Sequence, residues 1–377
     1  MNATLQCFCQ IKELVNYFKY KPYINTIITK YKNNNKQCLT KSFKNLIENL
    51  WPSVYDYIDN HNNHRNGSNN YYAPYEFKEK ISNMNPLFKG VQANDSKDLV
   101  NFIIMTLHEE LNKADKKRVL NNNNQFINQL NKEVVLQTFL SNFANENKSI
   151  ISDIFYEISY TSTQCSNCNT IKYNFQTDFF LIFPLEEIRK RKVEFLTNQF
   201  QLMNQNLFNI NPMLYQFKFM NFQNNLKNIN SVSIYDCFDY KQKVDYFIGE
   251  NAMHCNICRN RFPSSYMNII YSGPKILVIV LNRGKGIEFH VKLNFTEDLN
   301  LTNYIEMKQY GCMYKLIGVV THLGESGASG HFIAYCRSPI DNQWYRYNDD
   351  IVTKVNNFQK DIIDYDMPYI LFFQKIE

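Results

Sequence analysis

The sequence predicts an α+β fold, and a change of texture along its 377 residues carries that reading. The first third holds apolar residues at helical spacing, whereas from about residue 158 onward short β-branched and aromatic runs take over. A composition that is 44% hydrophobic and 15% aromatic is that of a folded chain able to bury a sizeable core.

Taken in order, LQCFCQIKELVNYF places Leu5, Phe8, Ile11, Leu14, Val15 and Phe18 at a 3.6-residue rhythm, predicting one buried helix. The polar DYIDNHNNHRNGSNNYY, 56–72, reads as a surface loop. DSKDLVNFIIMTLHEELN, 95–112, predicts a second strong helix with Leu99, Phe102, Ile103, Met105, Thr106 and Leu107 facing inward and Ser96 as its cap. The runs ISYTST, IKYNFQTDFFLIF, KILVIVLN, IEFHVKLNF, YKLIGVVTHL, HFIAYCR, QWYRYN and YILFFQK predict strands. Between them, the Asn/Gln/Phe-rich stretch 187–230 has no clean period and reads as an insertion of uncertain order.

Some function classes are disfavoured. No run of eighteen apolar residues occurs and MNATLQCF has no basic leader, so neither a membrane span nor a secretory signal is expected; the expected compartment is the cytosol or nucleus. The net charge of +6 is mild and its cations are scattered, the densest run being RKRK at 189–192, so no nucleic-acid partner is expected.

Ten cysteines in such a chain point to metal or catalysis over disulfides. CSNC (Cys165, Cys168) and CNIC (Cys255, Cys258) each set two thiols across a tight turn, and two such knuckles can close one tetrahedral zinc site. Two unrelated turns or a redox pair are the alternatives, but a redox motif needs no second copy. Four sulfurs leave no open position, so the expected role is structural. A zinc ribbon on nucleic acid is the rival reading, and it requires steep salt-dependent retention. His254 is expected to face solvent, and Cys237, Cys312 and Cys336 to be small core residues in strands.

GHFIAYCRSPIDNQWYRYNDDIV, 330–352, reads as a hairpin closed by Ser338–Asp341, with Arg337 facing Asn342 and His331 facing Asn348. Cross-strand neighbours lie close enough for an Asn oxygen to hold one imidazole nitrogen and leave the other as a base. That arrangement suits cysteine nucleophiles; a strand-end histidine satisfying a local bond is the plainer alternative. Gly324, Gly327 and Gly330 permit a mobile loop beside it.

Together these segments resemble the ubiquitin-specific proteases, papain-like cysteine peptidases. The 330–352 hairpin is similar to that family's GHYxAYxR…WYxFNDxxV box, and FKGVQANDSKDLVNFIIMTLHEELN to its FxGxxQxDAxEFLxxLLDxLHEELN helix. SIISDIFYEISYTSTQCSNC and VSIYDCFDYKQKVDYFIGENAMHCNIC resemble the segments entering and leaving its zinc-bearing fingers, and KILVIVLNRG the strand that follows. The resemblance implies one catalytic domain over 1–377: a mainly helical thumb (1–150), fingers with the zinc site and the 187–230 insertion (151–270), and a palm (271–377). It implies a thiol-dependent deubiquitinase acting on ubiquitin and ubiquitinated proteins, with His331 as base, Asn348 and Asp349 orienting it, Cys165, Cys168, Cys255 and Cys258 on zinc, and Asp95 and Asp98 on substrate.

The sequence departs from the family pattern in three places. DSKDLV stands for DAQEFL, and Gly284 for an aromatic. The third bears on chemistry: in the family's NxGNTCYMNSxLQ box, Met1 of MNATLQCF matches a position two residues after the nucleophile, so that cysteine and the upstream Asn are expected to be missing. Cys7, eight residues and about 12 Å further along a helix, is out of reach of the base, and so is Cys9. The chain as written is therefore expected to be inactive, and a ubiquitin-binding pseudoenzyme or scaffold is the alternative reading.

Overall fold

The computed structural model describes all residues except 34–37, 52–71, 91–94, 115–130, 228, 285, 327–328, 365–366 and 377. Apart from Tyr72, the loop expected at 56–72 therefore lies outside the described residues.

The chain opens with helices α1 (Asn2–Cys9), α2 (Lys12–Tyr20), α3 (Tyr23–Asn33), α4 (Leu39–Leu50), α5 (Tyr75–Met84), α6 (Ser96–Leu111), α7 (Lys132–Glu146) and α8 (Ile150–Phe155). The single opening helix read from periodicity is thus two. Ile11 leaves the helical region at ψ 106°, and the break is held by the Trp51 indole donating to the Cys9 carbonyl at 2.9 Å and the Gln10 amide donating to the Tyr347 hydroxyl at 3.2 Å. Leu14 and Phe18 stay fully buried because both helices pack on one core, so the apolar rhythm runs through the bend.

Helix α6 is capped by Asp95, not Ser96; the Asp95 carboxylate accepts the Lys97 N–H at 2.8 Å. Its buried face is Leu99, Val100, Ile103, Ile104, Leu107 and Leu111, while Met105 is exposed. Near its end the buried Glu110 carboxylate accepts the N–H groups of Leu39 (2.8 Å) and Thr40 (2.7 Å), supplying the free donors at the start of α4 with a charge of favourable sign.

After α8 come β1 (Glu157–Cys165), β2 (Ile171–Asp178) and β3 (Leu181–Pro184). The stretch read as an insertion of uncertain order is largely helical, as α9 (Leu185–Met203), α10 (Gln205–Ile210) and α11 (Pro212–Lys227). There follow β4 (Ser231–Ser233), α12 (Ile234–Lys241), β5 (Val244–Phe247), β6 (Met253–Cys255), β7 (Asn260–Phe262), β8 (Ser264–Ser272), β9 (Ile276–Asn282), β10 (Lys292–Asn294), β11 (Asp298–Asn300), β12 (Met313–Ser326), β13 (Ser329–Arg337), β14 (Trp344–Asn348), β15 (Ile351–Lys354) and β16 (Pro368–Lys375). IEFHVKLNF is a short 3₁₀ turn followed by β10 rather than one strand, and Cys237 lies on α12 rather than in a strand. Cys237, Cys312 and Cys336 are all buried, as expected.

The largest sheet runs β15-β14-β13-β12-β16-β9-β3, with β11 pairing β12; only the β3/β9 pair is parallel. KILVIVLN carries no polar alternation because both faces of this sheet are covered. Ile276, Val278 and Val280 join Phe8, Phe155 and Phe372 under the helices, while Leu277, Ile279 and Leu281 pack with Phe183, Cys237 and Phe238 on the other side. A second sheet, β2-β1-β8-β5, carries the cysteine knuckles beyond its end and meets α7 through Val135, Leu136, Tyr160, Phe175 and Tyr271. Lys132 ties that junction, donating to the Tyr160 hydroxyl (2.9 Å) and to Glu306 (2.6 Å).

No helix of the described residues is long and apolar enough to cross a membrane.

Candidate functional site

The hairpin of β13 and β14 forms with a register two residues from the expected one: Arg337 pairs with Trp344 and Ala334 with Tyr347. The connection is six residues long, Ser338–Gln343, with Asn342 in the left-handed region at φ 57°. A slide of two leaves each side chain on its original face. Continuing the observed register puts Asn348 beside Ile333, one diagonal step from His331, and that step is short enough. His331 Nε2 lies 2.7 Å from Asn348 Oδ1. Since a carbonyl oxygen has no proton to give, Nε2 carries the hydrogen and Nδ1 keeps a free lone pair.

A two-residue turn, Asp349–Asp350, links β14 to β15, with Asp349 at φ 53°, a conformation Asp tolerates better than most side chains. The turn carries the Asp349 carboxylate to 3.6 Å from His331 Nε2. Its carbonyl oxygen accepts the Asn2 side-chain amide at 3.1 Å, so the first turn of α1 abuts the imidazole cluster. Both His331 and Asp349 are solvent-accessible.

His322 was missed in the sequence, where nothing distinguishes THLG from an ordinary strand end. It is buried beside Gly330, between the rings of Phe289 (5.3 Å) and Phe332 (4.8 Å). Burial, then the charge of Arg283, then His331 lower its pKa below the usual histidine value. A Cβ on Gly330 would collide with the His322 ring, so the residue before His331 has no room for a side chain. Arg283 is itself buried, with no ion-pair partner among the described residues; it donates to the carbonyls of Pro368 (2.7 Å), Val291 (2.6 Å) and Phe289 (3.1 Å), and burial pushes its pKa down to about 10.

Asp95 and Asp98 are half-buried on the first turn of α6. Asp95 reaches across to the Tyr369 hydroxyl on β16, whose pKa is raised by burial and then by the Asp95 charge and hydrogen bond. Tyr369 in turn packs edge-on against Phe332, the neighbour of His331, at 5.3 Å. Asp95 is thereby linked through Tyr369 and Phe332 to the strand that carries His331.

The four knuckle cysteines converge: the sulfurs of Cys165, Cys168, Cys255 and Cys258 all lie within 4.8 Å of one another. Each knuckle ends on a left-handed residue, Asn169 at φ 56° and Arg259 at φ 55°, so two unrelated sequences adopt the same turn. Hydrogen bonds from Thr170 hold Cys168 down to about 6. At Cys258 the Asn167 amide favours the thiolate, but desolvation and the neighbouring thiols outweigh it and push the group up to about 12. Four thiols this close ionise together only around a cation, and the donor set fits zinc. His254 is exposed and outside this cluster.

Replacing Gly330 with Ala is predicted to lower the unfolding free energy by about 2 kcal/mol and to move His331 off Asn348. Urea denaturation and the imidazole ¹⁵N shifts of His331 read the two effects; wild-type values for both contradict the close approach of His322.

Comparison with known proteins bears on this geometry. Residues 1–373 match the family model described as ubiquitin carboxyl-terminal hydrolase. Ubiquitin carboxyl-terminal hydrolase 2 of Homo sapiens is 24% identical over 383 aligned residues, covering 99% of this chain and 53% of its own length. Usp2 of Drosophila melanogaster is 20% identical, over 100% of this chain and 34% of its own. The chain thus spans about half the length of the human relative. Among solved structures, the SAGA DUB module of Ubp8, Sgf11, Sus1 and Sgf73 bound to monoubiquitin superposes with a TM-score of 0.61 at 17% identity, covering 100% of this chain and 66% of that one. The same module bound to ubiquitin aldehyde gives 0.58 at 18%, covering 100% and 67%. Those structures share the fold, and the family match over nearly every residue decides the assignment: the chain belongs to the ubiquitin carboxyl-terminal hydrolase family.

Proposed function

We propose that the chain is the ubiquitin-holding, base-supplying body of a thiol-dependent deubiquitinase, which hydrolyses isopeptide or peptide bonds after ubiquitin's C-terminal glycine. The observation that carries this reading is the His331–Asn348 contact of 2.7 Å beside the first turn of α1. With Asn348 fixing Nε2–H, Nδ1 is free to take a thiol proton from a cysteine at the head of that helix. The thiolate attacks the glycine carbonyl, the imidazolium returns its proton to the leaving lysine amine, and water hydrolyses the thioester. Asp349 adds negative charge beside the imidazolium as it forms. Asp95, with Asp98 behind it, is proposed to hold the basic tail of ubiquitin in register through a charge-assisted pair.

None of the cysteines in the sequence suits that attack. Cys7 and Cys9 are buried, and burial followed by the neighbouring Cys7 pushes the Cys9 thiol far above its ordinary value. This favours a second reading, a scaffold that holds ubiquitin without cleaving it. Both readings require ubiquitin binding and assign Cys165, Cys168, Cys255 and Cys258 to one structural zinc.

Two outcomes are expected. In an NMR titration the 377-residue chain binds ubiquitin but leaves ubiquitin-aminomethylcoumarin intact, and Asp95→Asn, which still caps α6, weakens binding about tenfold. Absence of binding removes both readings, and turnover shows that Cys7 or Cys9 does the chemistry. Elemental analysis is expected to find one zinc per chain, lost in Cys165→Ser; retention of full zinc by that variant rejects the four-cysteine site.

A further inference from the structure

The helices α9, α10 and α11 leave apolar surface that the described residues do not cover. Helix α11 packs on α9 through Tyr215, Phe219 and Phe222, whose rings cluster around Phe200, with Phe200 and Phe222 stacked at 4.4 Å. Those positions recur at helical spacing on one side. On the opposite side Met213, Phe217 and Met220 recur at i, i+4 and i+7, and they are 82%, 63% and 64% exposed; Ile210, just before α11, is 82% exposed. A helix apolar on two sides is stable in water only when the second side is covered as well.

We propose that this outer stripe of α11 pairs with the same stripe of a second copy of the chain across a two-fold axis. Charge argues for self-association. Residues 195–235 contain no Asp, Glu, Arg or His; of their two lysines Lys218 falls well round the helix from the stripe, and Lys227, in line with it, is the last residue of α11, seven positions beyond Met220 and so at the edge of a contact centred on Phe217. A two-fold contact sets identical groups opposite one another, which a charge-free stripe tolerates and a charged one does not. A partner recognised by charge finds no complementary group here.

Area points the same way. The stripe with Ile210, Leu214 and the flanking exposed Gln216, Gln223 and Asn224 offers roughly 600 Å² a side, and about 1,200 Å² for the pair reaches the lower end of specific interfaces. Methionine and phenylalanine at the centre with amides at the edge is the composition of such contacts.

Sedimentation of the full zinc-loaded chain tests this. The wild type is expected to dimerise in the micromolar range, and the Met213→Asp/Phe217→Asp variant to sediment with half the mass at equal zinc content and helicity. A monomer up to 100 µM, or a dimer that survives in the variant, overturns the proposal. So does a monomer that floats with phosphatidylcholine/phosphatidylserine vesicles, which assigns the stripe to a lipid surface.

Discussion

Everything in the site depends on the contact between the start of α1 and the turn after β14. The Asn2 amide reaches the Asp349 carbonyl at 3.1 Å, which joins the first residues of the helical half to the last hairpin of the sheet. Below that point the two halves are sealed by packing: Phe8 sits edge-on to both Phe155 (5.9 Å) and Phe372 (5.6 Å), and Cys7 Sγ lies 3.6 Å from Cys336 Sγ on β13. Cys336 shares a strand with His331, so the strand that carries the imidazole is the one pressed on α1. A bond that crosses from one end of the chain to the other is thereby as well defined as a local one.

Rigidity around the imidazole comes from buried groups that do no chemistry themselves. His322 fills the space that a side chain at residue 330 would need, and Phe332 and Phe289 hold its ring edge-on. Arg283 ties the ends of β9 and β16 through carbonyl oxygens, and its charge adds to burial in lowering the pKa of His322. The knuckles at the far end of β1 follow another logic, since they bring four sulfurs within 4.8 Å of one another, a donor set that could hold a metal ion.

Much of this was legible in the sequence. The family segments, the four cysteines and the His331–Asn348 meeting follow from motif and spacing. The hairpin register did not, because the loop is six residues with a left-handed Asn342 instead of a four-residue turn; the pairing of His331 with Asn348 survived because a slide of two keeps side-chain parity. The bend after Cys9 was invisible because periodicity reports which face is buried, not whether the axis is straight. Residues 187–230 looked featureless for a related reason: α11 is apolar on two sides, so it shows no single period. Asn2 and His322 carried no signal, since their roles depend on partners hundreds of residues away or on a neighbouring ring.

The central claim is that His331, oriented by Asn348, is a base waiting for a thiol at the head of α1. The direct measurement is ubiquitin-aminomethylcoumarin turnover by a chain extended at its start with a segment carrying Gly-Asn-Thr-Cys-Tyr in register with the family box, compared with its His331→Ala form. Thiol-dependent turnover that falls at least a hundredfold without the imidazole is the expected result. An extended chain that binds ubiquitin and zinc yet turns nothing over, or that is indifferent to His331, contradicts it.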